Sequence, residues 1–170
     1  WLDTADGFEL SAVAASSVAS ANAKIAGLGA SPKTVAAAEL ADHADIVIEC
    51  APAACFAAIA EPAVEAGRTL IALGAGALLF RPDLVEAADL SGAQIIAPTG
   101  ALIGLDAVRA MAQGVIESVK LVTRKPPKGL MGAPYLESER IEIGSLAEPL
   151  CVFKGNALDA AKAFPANINV

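Results

Sequence analysis

Four short stretches carry residue types and spacings suited to holding a small molecule. In "PTGALIGLDAVRA" (Pro98 to Ala110) a strand is expected to end in Thr99-Gly100-Ala101, and Gly104 leads into a helix with Asp106 in its first turn. Residues this small let backbone N–H groups come close to a ligand, and a helix start favours anions. "IECAP" (Ile48 to Pro52) places a strand end before a proline turn, so backbone near Ala51 and Pro52 could line a cleft; a plain strand-to-helix turn is the alternative. "GAGA" (Gly74 to Ala77) follows a further strand, where Gly74 could approach a ligand or merely turn tightly. "TRKPPKG" (Thr123 to Gly129) supplies Arg124, Lys125 and Lys128, a positive patch able to receive a carboxylate or to serve as a solvated loop.

Reactive side chains are scarce by comparison. The three cysteines, Cys50, Cys55 and Cys151, have no C-x-x-C spacing, and with one histidine there is no zinc pattern, so no metal site is expected. The cysteines read as small buried hydrophobes in a reducing compartment. His43 falls just before a strand, at the end opposite the usual ligand edge, and reads as a structural surface residue. The chain thus contains no histidine placed for acid–base work.

The elements that must position these stretches alternate along the first half. "ELSAVAAS", "ADIVIECA", "TLIALG" and "AQIIAPTG" read as strands, and "SANAKIAGLG", "AACFAAIAEPAVEAG" and "FRPDLVEAADLSG" as helices between them. Apolar strands alternating with helices predict a parallel sheet covered on both faces, a doubly wound α/β domain over residues 1–99. Beyond it, "GLDAVRAMAQG" and "NALDAAKAF" read as helices, the latter capped by Asn156. "IESVKLVTRKPP" and "ERIEIGSLAEPLCVFKG" alternate apolar and polar residues as half-buried antiparallel strands do. Residues 100–170 therefore read as an α+β domain. The final "FPANINV" resembles a helix opening, with Pro165 ahead of two asparagines.

A doubly wound sheet commonly binds a dinucleotide at its carboxyl edge, with G-x-G-x-x-G after the first strand. That turn is absent, and "GLGASP" reads as a loop. "ELSAVAAS" suits the second strand of such a sheet, the first strand then being missing. Its tip is Ser16-Ser17 where an acidic residue often holds the adenosine ribose, so NADP is as well suited as NAD; loop-filling serines are the alternative.

Composition excludes other classes. A net charge of −7 disfavours nucleic acid as partner. The hydrophobic fraction is 55%, largely alanine, and the longest apolar run is short and broken by glycines, so no membrane span is expected. The acidic start lacks a leader's apolar region, consistent with the cytoplasm.

"TGALIGLDA", "VTRKPPKGL" and "FKGNALDAAKAFPANINV", in that order and with "DIVIECAP" ahead of them, resemble the L-aspartate dehydrogenase family. The resemblance covers essentially the whole chain. It implies a Rossmann-type cofactor domain followed by an α+β domain that completes the catalytic cleft and supports a homodimer. The implied reaction is NAD- or NADP-dependent oxidation of L-aspartate to iminoaspartate. The imine hydrolyses to oxaloacetate and ammonia or feeds NAD biosynthesis. Carried over by position, Ala101 beside Gly100 and an asparagine, Asn167 or alternatively Asn169, would contact the cofactor. Ala51, Pro52, Gly74 and Ser16 would line it, and Lys125 would meet a substrate carboxylate. Ile103 departs from the family's glycine pair at that turn. The family's glycine-rich fingerprint would precede Trp1 and its catalytic histidine would follow Val170, so the 170-residue chain is expected to be inactive alone. Competing expectations are another two-domain dehydrogenase, of the homoserine dehydrogenase or dihydrodipicolinate reductase kind, and a non-catalytic cofactor-binding or dimerising module.

Overall fold

A computed structural model describes residues 6–29, 31–98 and 104–165. The chain divides into two compact units, Trp1–Pro98 and Thr99–Val170. The first is built from parallel strands and helices. β1 (Ala12–Val13) leads to helix α1 (Val18–Ile25) and returns as β2 (Lys33–Thr34), which pairs parallel to it. β1 is shorter than "ELSAVAAS" suggests. Alanine and serine are weak strand formers, and Ser17 turns the chain by accepting a hydrogen bond from the Ser20 N–H at 3.1 Å to cap α1.

After a 3-10 helix (Ala37–Asp42) come β3 (Ile46–Glu49), helix α2 (Phe56–Glu65), β4 (Thr69–Ala72), helix α3 (Pro82–Ser91) and β5 (Gln94–Ile96). These three strands form a parallel sheet in the order β3-β4-β5, with Val47 opposite Leu70 and Glu49 opposite Ala72. Parallel neighbours need a crossover, which α2 and α3 supply. α3 starts on Pro82, whose missing N–H costs nothing in a first turn, and stops at Gly92, which takes φ 77°.

The core of this unit is the layer between sheet and helices. Phe56, Ile59, Ala60, Ala63 and Val64 of α2 meet Val47, Leu70 and Ala72 of the sheet, with Leu84 and Ala88 of α3 closing the side. Alanines in α2 let it lie close on the strands. The opposite sheet face differs from expectation: Ile46, Ile48 and Ile96 are exposed, so the described residues cover one face of this sheet only. At the amino edge Arg68 joins neighbouring segments, donating from Nε to the Ala41 carbonyl at 3.0 Å and from its guanidinium to Asp45 at 3.1 Å.

The second unit contains α4 (Leu105–Met111), a 3-10 turn (Pro127–Gly129), α5 (Pro134–Ser138) and α6 (Ala157–Ala163). Asn156 caps α6 as expected, its Oδ1 accepting from the Asp159 N–H at 2.8 Å. The expected antiparallel strands do not form among the described residues. Residues 115–126 are exposed throughout, and a strand whose N–H and C=O groups find no partner ladder has little to hold it. In "ERIEIGSLAEPLCVFKG" the alternation is real, since Ile143 is buried and Ile141 partly so, but it serves packing rather than pairing. Ile143 joins Ala133, Leu136, Ala163 and Phe164 in a small core. The rings of Tyr135, Phe153 and Phe164 border it, with centroids 5.3–5.7 Å apart and two edge-on contacts.

Candidate cofactor-binding edge

The carboxyl ends of β3 and β4 lie side by side because the strands are parallel and in register through Glu49 and Ala72. The turns that leave them carry Ala51-Pro52 and Gly74, so the fold brings together two of the stretches singled out in the sequence. What joins them is a residue that sequence reasoning passed over. Glu49 is 0% exposed, and both its oxygens accept hydrogen bonds: Oε1 from the Ala51 N–H at 2.8 Å, Oε2 from the Gly74 N–H at 2.9 Å. A buried carboxylate is costly unless its lone pairs are satisfied, and here two backbone donors meet that need. A signal did exist. In a strand that alternates with period two, Val47 and Glu49 share the inward face, while Ile46 and Ile48 point outward.

Gly74 has an ordinary backbone conformation, φ −79°, so conformational freedom is not what requires glycine there. Space is the requirement. A Cβ at this position would lie 2.9 Å from Glu49 Oε2. Gly74 then leads into a 3-10 helix (Ala75–Phe80), and Pro52 into another (Ala53–Cys55) that runs on into α2.

This arrangement decides what the edge can hold. The Ala51 and Gly74 N–H groups are already engaged by Glu49 and are not donors for a ligand's phosphate. Ala51 and Gly74 are half-buried and Pro52 is exposed, and none carries a polar side chain. An edge of small residues like this one leaves room for a flat group to approach the backbone, and these described residues offer no free N–H pair for an anion.

The other sequence-singled residues lie elsewhere. Ser16 is exposed, beyond the end of β1, while its neighbour Ser17 is committed to capping α1. His43 ends the 3-10 helix ahead of β3, at the sheet edge opposite Ala51 and Gly74. Lys125 is exposed in the second unit, just before the 3-10 turn at Pro127. Gly100, Ala101, Asn167 and Asn169 lie outside the described residues. Cys50, Cys55 and Cys151 are exposed free thiols, against the expectation of burial; Cys50 directly follows inward-facing Glu49 and so leaves the core. Among the described residues no group of three His, Cys, Asp or Glu side chains could hold a metal ion, and no helix is long and apolar enough to cross a membrane.

Parallel strands joined by helices, with small residues at the carboxyl edge, define an α/β domain of the NAD-binding dehydrogenase class. Residues 2–98 match the family described as "Homoserine dehydrogenase, NAD binding domain", and residues 106–170 match "Aspartate dehydrogenase, C-terminal". The chain belongs to the L-aspartate dehydrogenase family. It is 50% identical over 169 residues to the L-aspartate dehydrogenase of Bradyrhizobium diazoefficiens, covering 99% of this chain and 60% of that protein. It is 55% identical over 132 residues to L-aspartate dehydrogenase 3 of Bordetella bronchiseptica, covering 78% of this chain and 48% of that protein. The Methanosarcina acetivorans L-aspartate dehydrogenase is 38% identical over 173 residues, 97% of this chain and 64% of that protein. The chain thus spans roughly half to two thirds of the length of these relatives. No solved structure matches it.

Proposed function

We propose that the protein oxidises L-aspartate with NAD or NADP as acceptor. The observation that carries this reading is the pairing, in one chain, of an NAD-binding dehydrogenase domain with an aspartate dehydrogenase C-terminal segment. The Ala51, Pro52 and Gly74 edge supports it from the structural side. Oxidation removes a hydride from the substrate Cα and a proton from its nitrogen, leaving iminoaspartate, which water converts to oxaloacetate and ammonia. A bound nicotinamide cofactor supplies the hydride acceptor. On this reading the chain's own residues bind and orient: Ala51, Pro52 and Gly74 present a small apolar surface, Ser16 faces the adenosine end, and Lys125 pairs with a substrate carboxylate. Gly100 and Ala101, with Asn167 or Asn169, complete the cofactor contacts. The protein acts in the cytoplasm as a homodimer, without nucleic-acid or membrane partners.

The test is a substrate panel on the purified full-length protein, following the absorbance of the reduced cofactor. Aspartate-dependent reduction of NAD or NADP, with homoserine inert, is the expected result. Activity with homoserine but not aspartate would overturn the reading, and no activity with any amino acid would favour a non-catalytic cofactor-binding module. Comparing the affinities for NAD and NADP tests Ser16, since a strong NAD preference contradicts the role given to it.

A further inference from the structure

Among the described residues, the buried Glu49 carboxylate is the one charged group enclosed in the first unit's core layer, and no ion pair to it occurs. Both oxygens act as acceptors, and both partners are neutral backbone N–H groups. It therefore does two things at the carboxyl edge. It fixes the turns after β3 and β4 relative to each other, and it leaves a negative charge beneath them with no cation among the described residues paired to it. Charges act more strongly where water is excluded, and two backbone dipoles offset such a charge only in part. A neighbouring ligand group that carries positive charge is favoured over a neutral or negative one.

The oxidised nicotinamide ring is cationic and the reduced ring is neutral. Resting on the cofactor reading above, we propose that Glu49 is a positioning residue that also biases this edge toward the oxidised form of the cofactor. Glu49 shapes the surface that Ala51 and Gly74 present, and its charge distinguishes the two redox states of the ring laid against them. A residue that only braced the turns would affect both forms alike.

The experiment measures dissociation constants for oxidised and reduced cofactor in the full-length protein and in Glu49→Gln. Glutamine keeps the shape, removes the charge and turns an NH₂ toward one of the two N–H groups. The oxidised form should bind about tenfold more weakly in the variant, as expected for loss of a nearby opposite charge where water is partly excluded, and the reduced form by less than about threefold. Equal weakening of both forms, or no change, overturns the proposal. Gly74→Ala provides a second variant should Glu49→Gln fail to fold. Its Cβ, 2.9 Å from Oε2, displaces the carboxylate without deleting it, and the ratio of the two affinities should move in the same direction by a smaller factor. An unchanged ratio there likewise counts against the role. Wild-type protein that binds neither form would instead remove the cofactor reading itself, a result separable from failure of the Glu49 role.

Discussion

The two units bury apolar surface by different means. In Trp1–Pro98 the core is a layer in which sheet residues such as Val47 and Leu70 meet α2 along its length, so burial is spread over many aliphatic contacts. In Thr99–Val170 the described core is small and leans on three rings, with neighbouring residues 111–129 lying exposed. The contrast shows what regular pairing achieves. A ladder satisfies the backbone and holds many side chains on one face at once, whereas a cluster among turns depends on a few large groups.

Truncating one of those groups is the sharpest way to probe the difference. Phe164→Ala removes a ring that is 3% exposed and should cost about 3–5 kcal/mol, melting the second unit's cluster; loss of the near-ultraviolet aromatic signal in urea reports it. Leu70→Ala in the first unit should cost about 2–5 kcal/mol, yet leave slow amide exchange elsewhere in the β3-β4-β5 sheet. If Phe164→Ala leaves Tyr135 and Phe153 packed, the contrast between the units disappears.

A milder perturbation acts from the other direction. A Cβ on Gly155 would lie 2.7 Å from the Phe153 ring, so Gly155→Ala must push that ring against Tyr135 or Phe164. The expected cost is about 1–3 kcal/mol, read as a lower urea midpoint, and a neutral outcome would show that the rings tolerate repacking.

The smallest effect belongs to the surface of the first unit. Arg81 ties the start of α3 to α2, at 2.7 Å from Asp83 and 2.8 Å from Glu61. Its hydrogen bond holds the Asp83 carboxyl below the usual carboxylate range, and Arg81 itself is held more firmly protonated by Asp83 and then Glu61. A lowered carboxylate contributes stability at neutral pH, and that contribution is lost as pH falls through the folded-state value. Asp83→Asn should therefore lower the melting temperature slightly at neutral pH, leave it unchanged once acid has protonated Asp83 in the wild type, and so flatten the acid limb of the profile. A loss as large in acid as at neutral pH would contradict it.

Much of the first unit was readable because its residues agree at several levels. "DIVIECA" is β-branched and bounded by a proline turn, "FRPDLVEAADLSG" has proline and glycine at opposite ends, and the alternation of strands with helices implied parallel pairing. The second unit was less readable because alternation reports which residues face inward, not whether a partner ladder exists. Ile141 and Ile143 keep the pattern without one. The two-residue β2 gave no advance sign, since Lys33-Thr34 has no hydrophobic pattern and depends on β1. Ala51 and Gly74 could be singled out as strand-end residues, but not their tie. Glu49 sits in an apolar run, and its second partner lies 25 residues away across the sheet.

The contact between Glu49 and Gly74 also bears on how this sequence can change over time. Position 74 can acquire a methyl group freely only after position 49 has drawn back its carboxylate, and position 49 can shorten only by abandoning one of its two amide partners. Neither change is neutral first. The two sites are therefore expected to evolve as a linked pair, with glutamate and glycine retained or replaced together across descendants of this chain.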